Sequence, residues 1–154
     1  DLRWGVYVTF AADSEYVARC FKEYGLITDP SGQYSSMYKP FHLIGLELGI
    51  SVASIGIRGE ATGAPICWHG DVVATAKRDL KAGELLDGEG GYTVYGKLMP
   101  AQESLALGGL PLGLAHGVKL LKPVKAGQAV SWNDVAFDAN STAVKFRREM
   151  EQSF

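Results

Sequence analysis

The sequence predicts an α+β protein: a partial α/β segment, then a β-rich module, then a closing helix. Three observations carry that expectation. Before residue 70 one segment has apolar residues at helical spacing and a second is apolar nearly all round, whereas from Asp71 on they fall in short β-type runs separated by Gly, Pro and Asp. A phrase recurs 44 residues apart, as Arg78-Asp79-Leu80-Lys81-Ala82-Gly83-Glu84 and Lys122-Pro123-Val124-Lys125-Ala126-Gly127-Gln128. Each copy places Gly after Lys-Ala, where positive φ suits a tight turn, so one strand–turn–strand unit is used twice. Finally, Asn140 or Ser141 caps a helix through about Glu151.

Along the chain, Gly5 to Phe10 is rich in β-branched and aromatic residues and reads as a strand. Asp13 or Ser14 then caps a helix whose apolar face is Tyr16, Val17, Cys20, Phe21 and Tyr24, and Gly25 ends it. Strand followed by helix is half of an α/β unit, and a lone half cannot cover a sheet. Thr28 to Ser36, with Asp-Pro-Ser-Gly, reads as a polar turn or loop. A helix starting near Pro40 or Phe41 runs through Leu43 to Ile57. It is apolar nearly all round and therefore expected to be buried. Glu47 interrupts it, and its length falls short of the ~18–20 apolar residues a membrane span needs.

Arg58 to Gly70 reads as loop, and the boundary between the halves lies near Gly63 to Gly70. Strands are expected at Asp71 to Ala76, Tyr92 to Tyr95, Val118 to Leu121 and Ala129 to Phe137, with a short helix at Ala101 to Ala106.

The chain has 154 residues, 47% of them hydrophobic and 21% charged, which is enough to bury a core and argues against disorder. Net charge is −2, and no basic run offers a track for nucleic acid. The densest positive cluster, Lys145 to Arg148, meets Glu149 and Glu151 at once and reads as a solvated helix face. Cys20 and Cys67 are too few for a disulfide framework, so free thiols in a cytoplasmic protein are expected. Neither a signal peptide nor a membrane segment is expected. The sequence opens at Asp1 in what reads as the middle of a fold, as a piece of a longer polypeptide would.

Four residues stand out as chemistry. Tyr38, Lys39 and His42 place three polar-tipped side chains at the approach to a helix N-terminus, where the dipole favours an anion. The alternative is ordinary packing, solvation and first-turn hydrogen bonding. Glu47 lies on an apolar helix, where a carboxylate is costly unless it faces a polar cleft or meets a cation. Arg58, beside Glu60, is a candidate for that cation. No metal site is expected, because Cys67-Trp68-His69 is too tight for two ligands to converge easily and no second pair has zinc spacing. Gly88-Glu89-Gly90-Gly91 lacks the third glycine and the strand–helix frame of a dinucleotide fingerprint. It reads as a turn. The amides of this loop and of Leu107 to Gly117 are weak candidates for lining a small-ligand pocket.

Two stretches carry a family resemblance. Ala76 to Asp87, around Lys81-Ala82-Gly83, resembles the opening of SAF domains, the antifreeze-like β-clip fold; Leu112-Gly113 with Val118 to Val135 resembles the closing half. Met37-Tyr38-Lys39-Pro40-Phe41-His42-Leu43, followed by Leu46-Glu47-Leu48-Gly49-Ile50-Ser51-Val52-Ala53, resembles a segment of bacterial oxidoreductases labelled homoserine dehydrogenase-like. That group includes reductoisomerases similar to deoxyxylulose-phosphate reductoisomerase that end in a SAF domain. Lys39 and Phe41 depart from the Arg and Tyr of the pattern.

The resemblance implies a division into a catalytic-domain segment at 1–66, a SAF-type β-clip module at 67–139 and a C-terminal helix at 140–154. It implies a parent that binds NADP or NAD in an upstream Rossmann domain of the same polypeptide, with no cofactor site in this chain. Catalytic residues cannot be carried over. Tyr38, Lys39, His42 and Glu47 would lie near a substrate cleft, with Lys39 and His42 on an anionic group and Glu47 orienting a neighbour or a metal-bound substrate. The expected function is the C-terminal part of an NAD(P)-dependent oxidoreductase acting on a small hydroxy acid or sugar phosphate, inactive without its Rossmann domain. The rival is a stand-alone β-clip module that binds a carbohydrate or acidic ligand or mediates homo-oligomerisation. A secreted assembly chaperone is disfavoured by the absence of a signal peptide.

Overall fold

Six residues, Val6–Ala11, form strand β1, and a computed structural model that describes residues 5–153 shows what they pair with. The first segment and the C-terminal helix expected above thus reach beyond the described residues, at 1–4 and 154. The chain divides into two compact units, Asp1–Ala64 and Pro65–Phe154. Helices and antiparallel sheets are mixed throughout, so the fold is α+β.

In the first unit, β1 pairs antiparallel with β2 (Tyr34–Lys39), in register from Val6↔Lys39 to Ala11↔Tyr34. Helix α1 (Glu15–Glu23) connects them, capped by Ser14, whose Oγ accepts the Val17 N–H at 3.3 Å. It covers one end of the hairpin, where the Phe21 ring meets Phe10 edge-on at 5.5 Å. The antiparallel pairing replaces the expected half of an α/β unit. It also corrects the expected loop at 28–36, because Tyr34 to Ser36 belong to β2. The Asp29 carboxylate gathers the Ser31 hydroxyl and the N–H groups of Ser31, Gln33 and Tyr34, turning the polar stretch straight into a strand. Local composition reads as loop; pairing with β1, 23–27 positions away, makes it a strand.

Helix α2 (Ile44–Ala53) starts later than expected, because β2 runs to Lys39 and Pro40 to Leu43 are needed to turn the chain. It ends in a π-helical turn, Ser54–Arg58, stopped by Gly59 at φ 67°. The expectation that this helix is buried is overturned. None of its residues is buried, and Leu46 is 73% exposed. Among the described residues, Phe21 is the one buried apolar side chain of this unit, so there is no core for α2 to join.

The second unit does have a core, built on Val73, Leu80, Leu86, Val94, Leu110, Leu120, Val130 and Trp132. Strand β3 (Gly70–Ala76) pairs antiparallel with β5 (Val94–Pro100); β4 (Leu85–Asp87) pairs with β6 (His116–Leu120), which pairs with β7 (Val135–Ala136). Helix α3 (Ala101–Leu107) follows β5, and α4 (Thr142–Ser153) closes the unit with Val144 in the core. The expected strand at Tyr92 to Tyr95 starts only at Val94, because Tyr92 and Thr93 donate their N–H groups to Asp87. The expected strand at Ala129 to Phe137 is interrupted at Trp132–Asp134 by a turn of 3₁₀ helix, fixed by reciprocal bonds between Ser131 and Asp134.

The two copies of the repeated phrase pair with each other through equivalent backbone hydrogen bonds. Leu80 and Val124 exchange both backbone hydrogen bonds, at 2.8 and 3.1 Å. Gly83 N–H donates to Leu120 O at 2.7 Å, and Gly127 N–H, 44 positions on, donates to Ala76 O at 2.8 Å. Both glycines have positive φ, 90° and 79°. Each half thus closes the turn of the other.

One expectation about charge is corrected here. Arg147 is not on a solvated face: its side chain is 11% exposed and grips Asp71, itself 6% exposed, through two bonds of 3.0 and 2.5 Å. Its Nε donates to Glu151 at 2.8 Å and its guanidinium lies 4.6 Å from the centre of the Trp68 ring. Ser104 of α3 donates to the same Asp71 at 2.5 Å. Burial alone would push the Asp71 carboxyl up; bonds from Arg147 and Ser104 more than reverse that and hold it below the ordinary range.

Candidate functional site

Three of the four residues singled out by sequence come together at the junction of β2 and α2. Lys39 is the last residue of β2, Pro40 to Leu43 turn the chain, and Glu47 lies in the first turn of α2. One Glu47 oxygen forms an ion pair with Lys39 Nζ, and the other meets His42 Nδ1 at 2.5 Å. The carboxylate is also well placed against the positive end of the helix dipole. Lys39 Nζ stands 5.1 Å from the centre of the Phe41 ring. The expectation that Arg58 answers Glu47 is therefore wrong: Arg58 pairs with Glu60 at 2.6 Å. A π-helical turn and Gly59 carry Arg58 to its near neighbour, while the bend at Pro40 swings Lys39 back over α2.

Tyr38 lies on β2 opposite Tyr7, with its side chain 43% exposed. Val6, Val8, Met37, Tyr38, Lys39 and Pro40 line an open groove of about 530 Å³. The groove is apolar except for Lys39 and the Tyr38 hydroxyl. Gly5, which the sequence reading passed over, matters to this wall. A Cβ there would strike the Lys39 carbonyl and approach Tyr38 Cε2 at 2.9 Å, and φ is +144°. Only a chain without Cβ lets the start of β1 lie so close. No local signal marks that, because the contact joins residues more than thirty apart.

The cluster is half-exposed, with Lys39, His42 and Glu47 side chains at 44, 56 and 29%. Ion pairs in that setting contribute about 0–1 kcal/mol to stability. What the arrangement does is orient: a carboxylate holding an ammonium and an imidazole side by side at the rim of an apolar groove.

Several amides of the glycine-rich loops are already engaged within the chain. The Asp87 carboxylate takes the N–H groups of Tyr92 and Thr93 and the Thr93 hydroxyl, and its pKa falls to about 2, chiefly through the Thr93 hydroxyl. Gly91 N–H donates to Gly88 O. In the second loop, Gly109, Leu110, Leu114 and Ala115 give their N–H groups to backbone carbonyls. A dinucleotide does not fit the first loop, whose amides already hold an anion of the chain itself and which joins β4 to β5 with no helix between. Among the described residues no group of three or more His, Cys, Asp or Glu side chains is gathered as a metal site requires. Cys67 Sγ and His69 Nε2 lie 3.0 Å apart, in contact with each other.

A family model described as the catalytic domain of oxidoreductase DRL matches residues 1–48. The match takes in β1, α1, β2 and the whole Lys39–His42–Glu47 cluster, and it points to an oxidoreductase family. No curated protein matches the chain. No helix among the described residues is long and apolar enough to cross a membrane.

Proposed function

We propose that this chain is part of an NAD(P)-dependent oxidoreductase that acts on a small hydroxy acid or sugar phosphate. Its first unit belongs to the catalytic domain and its second to a SAF-type β-clip module. The observation that carries the reading is the placement of the Lys39–Glu47–His42 cluster inside the stretch similar to an oxidoreductase catalytic domain. Lys39 and His42 contact the anionic group of the substrate. Glu47 is a positioning residue that holds both. The nicotinamide cofactor, which supplies hydride transfer, is bound by an upstream Rossmann domain, and nothing in this chain takes part in holding it.

The exposed apolar surface of the first unit supports the same reading. A two-stranded hairpin and an uncovered apolar helix do not make a stable domain. In the natural polypeptide the rest of the catalytic domain covers them, and the isolated chain is inactive. A cytoplasmic setting agrees with two unpaired cysteines, Cys20 and Cys67. A second reading, a β-clip module that binds a carbohydrate or acidic ligand or mediates self-association on its own, has one observation in its favour: the second unit carries its own core.

The test is turnover by the natural polypeptide containing this chain, screened with NADP⁺ and NAD⁺ against hydroxy acids and sugar phosphates. With a substrate found, Lys39→Met should raise KM more than about tenfold, as loss of a charge-assisted contact would. Glu47→Gln should do the same with a smaller effect. No turnover across the panel, or parental kinetics in both variants, overturns the proposal.

A further inference from the structure

Cys67 and His69 lie outside the cluster described above and have no part in it. They sit two residues apart just before β3. Sγ and Nε2 are 3.0 Å apart, and both side chains are exposed. The stretch between them is pinned. Trp68 lies under the Arg147 guanidinium at 4.6 Å, and the His69 carbonyl accepts the Ala101 N–H at 2.8 Å. Arg147 is in turn locked to Asp71 and Glu151. A thiol and an imidazole nitrogen are thus held within reach of each other and of solvent, the geometry from which a base can take a thiol proton. Cys20, on α1, is partly buried.

We propose that Cys67 and His69 form a nucleophile–base pair that undergoes thiol–disulfide exchange with a low-molecular-weight disulfide. His69 Nε2 takes the proton from Sγ as the sulfur attacks one sulfur of the disulfide. The S–S bond breaks, its electron pair leaves with the second sulfur, and that thiolate takes the proton back from the imidazolium. Cys67 is oxidised to a mixed disulfide, and the small disulfide is reduced to one free thiol. The chemistry needs no further oxidant.

The test uses the full chain with glutathione disulfide in excess at pH 7, following modification by intact mass and locating it by peptide mapping. Cys67 should react at least about tenfold faster than Cys20, the low end of what a positioned base contributes. In His69→Gln the Cys67 rate should fall by a similar factor, and added imidazole should restore part of it. In urea the two cysteines should react alike, which separates the folded arrangement from intrinsic thiol reactivity. Preferential reaction at Cys20, or an unchanged Cys67 rate in His69→Gln, overturns the proposal. Because both side chains are exposed, unchanged far-UV circular dichroism should confirm that His69→Gln folds; if it does not fold, the urea-referenced ratio of Cys67 to Cys20 in the parent chain decides alone.

Discussion

Replacing Arg147 with Met should unfold the second unit far more readily than its place in a charged helix suggests. The guanidinium is 11% exposed, and its partners Asp71 and Glu151 are 6 and 10% exposed. Removing it deletes two bonds to Asp71 and one to Glu151. Asp71 is left shielded from water without its cation, while Glu151 keeps Arg148 at 2.6 Å. Breaking a buried pair from one side costs about 3–5 kcal/mol. Met keeps some packing over Trp68, so the lower end is expected. The second unit spans Pro65–Phe154, a size at which 1 kcal/mol shifts Tm by about 4–8 °C. The expected loss is therefore at least about 12 °C.

Urea unfolding at pH 7, followed by tryptophan fluorescence and far-UV circular dichroism, measures it. The pH dependence supplies an independent check. In the parent chain Asp71 is held below its ordinary pKa, so its contribution is present above about pH 4 and is lost as pH falls further. In Arg147→Met burial dominates and raises that pKa, so the deficit should shrink between pH 7 and pH 5. The double variant Asp71→Asn/Arg147→Met should recover part of the loss. A loss under about 1 kcal/mol in the single variant would refute the reasoning, as would a double variant no more stable than the single.

Three further outcomes are expected. Asp87, with its pKa near 2, stabilises its loop above about pH 4 and ceases to as pH falls toward 2, so the parent should lose more stability over that interval than Asp87→Asn; parallel Tm curves would count against the loop's being held by the carboxylate. Gly127→Ala meets open space and a positive φ, costing about 1–2 kcal/mol, whereas Gly91→Ala drives a Cβ into the Asp87 carboxylate and should cost more; equal Tm losses would contradict that contact. Leu46→Ser should change the stability of this chain by under about 0.5 kcal/mol, because the side chain is 73% exposed. In the longer polypeptide proposed above, the same change should cost about 2 kcal/mol or more, and equal effects in the two settings would leave α2 uncovered in both.

Much of the chain was legible where the signal is local. β1, α1 with its Ser14 cap, α3 and α4 follow from side-chain type, periodicity and capping chemistry within a few residues. The repeated Lys-Ala-Gly phrase marked both turns, since only Gly takes those φ values at little cost. Tyr38, Lys39, His42 and Glu47 were visible as unusual residue types at a loop–helix junction. Sequence also showed a net charge of −2 without a basic run, and Thr93 where a dinucleotide fingerprint would carry its third glycine.

Tertiary structure alone decided who meets whom. Glu47 takes Lys39 and His42 rather than Arg58, because a bend at Pro40 brings the end of β2 back to α2. Arg147 leaves solvent because Asp71 waits 76 positions away on β3, at a distance no window of sequence spans. Helix α2 stays exposed because burial depends on a core, and the first unit has almost none. An apolar residue states only a preference for leaving water; the fold determines whether anything is there to cover it.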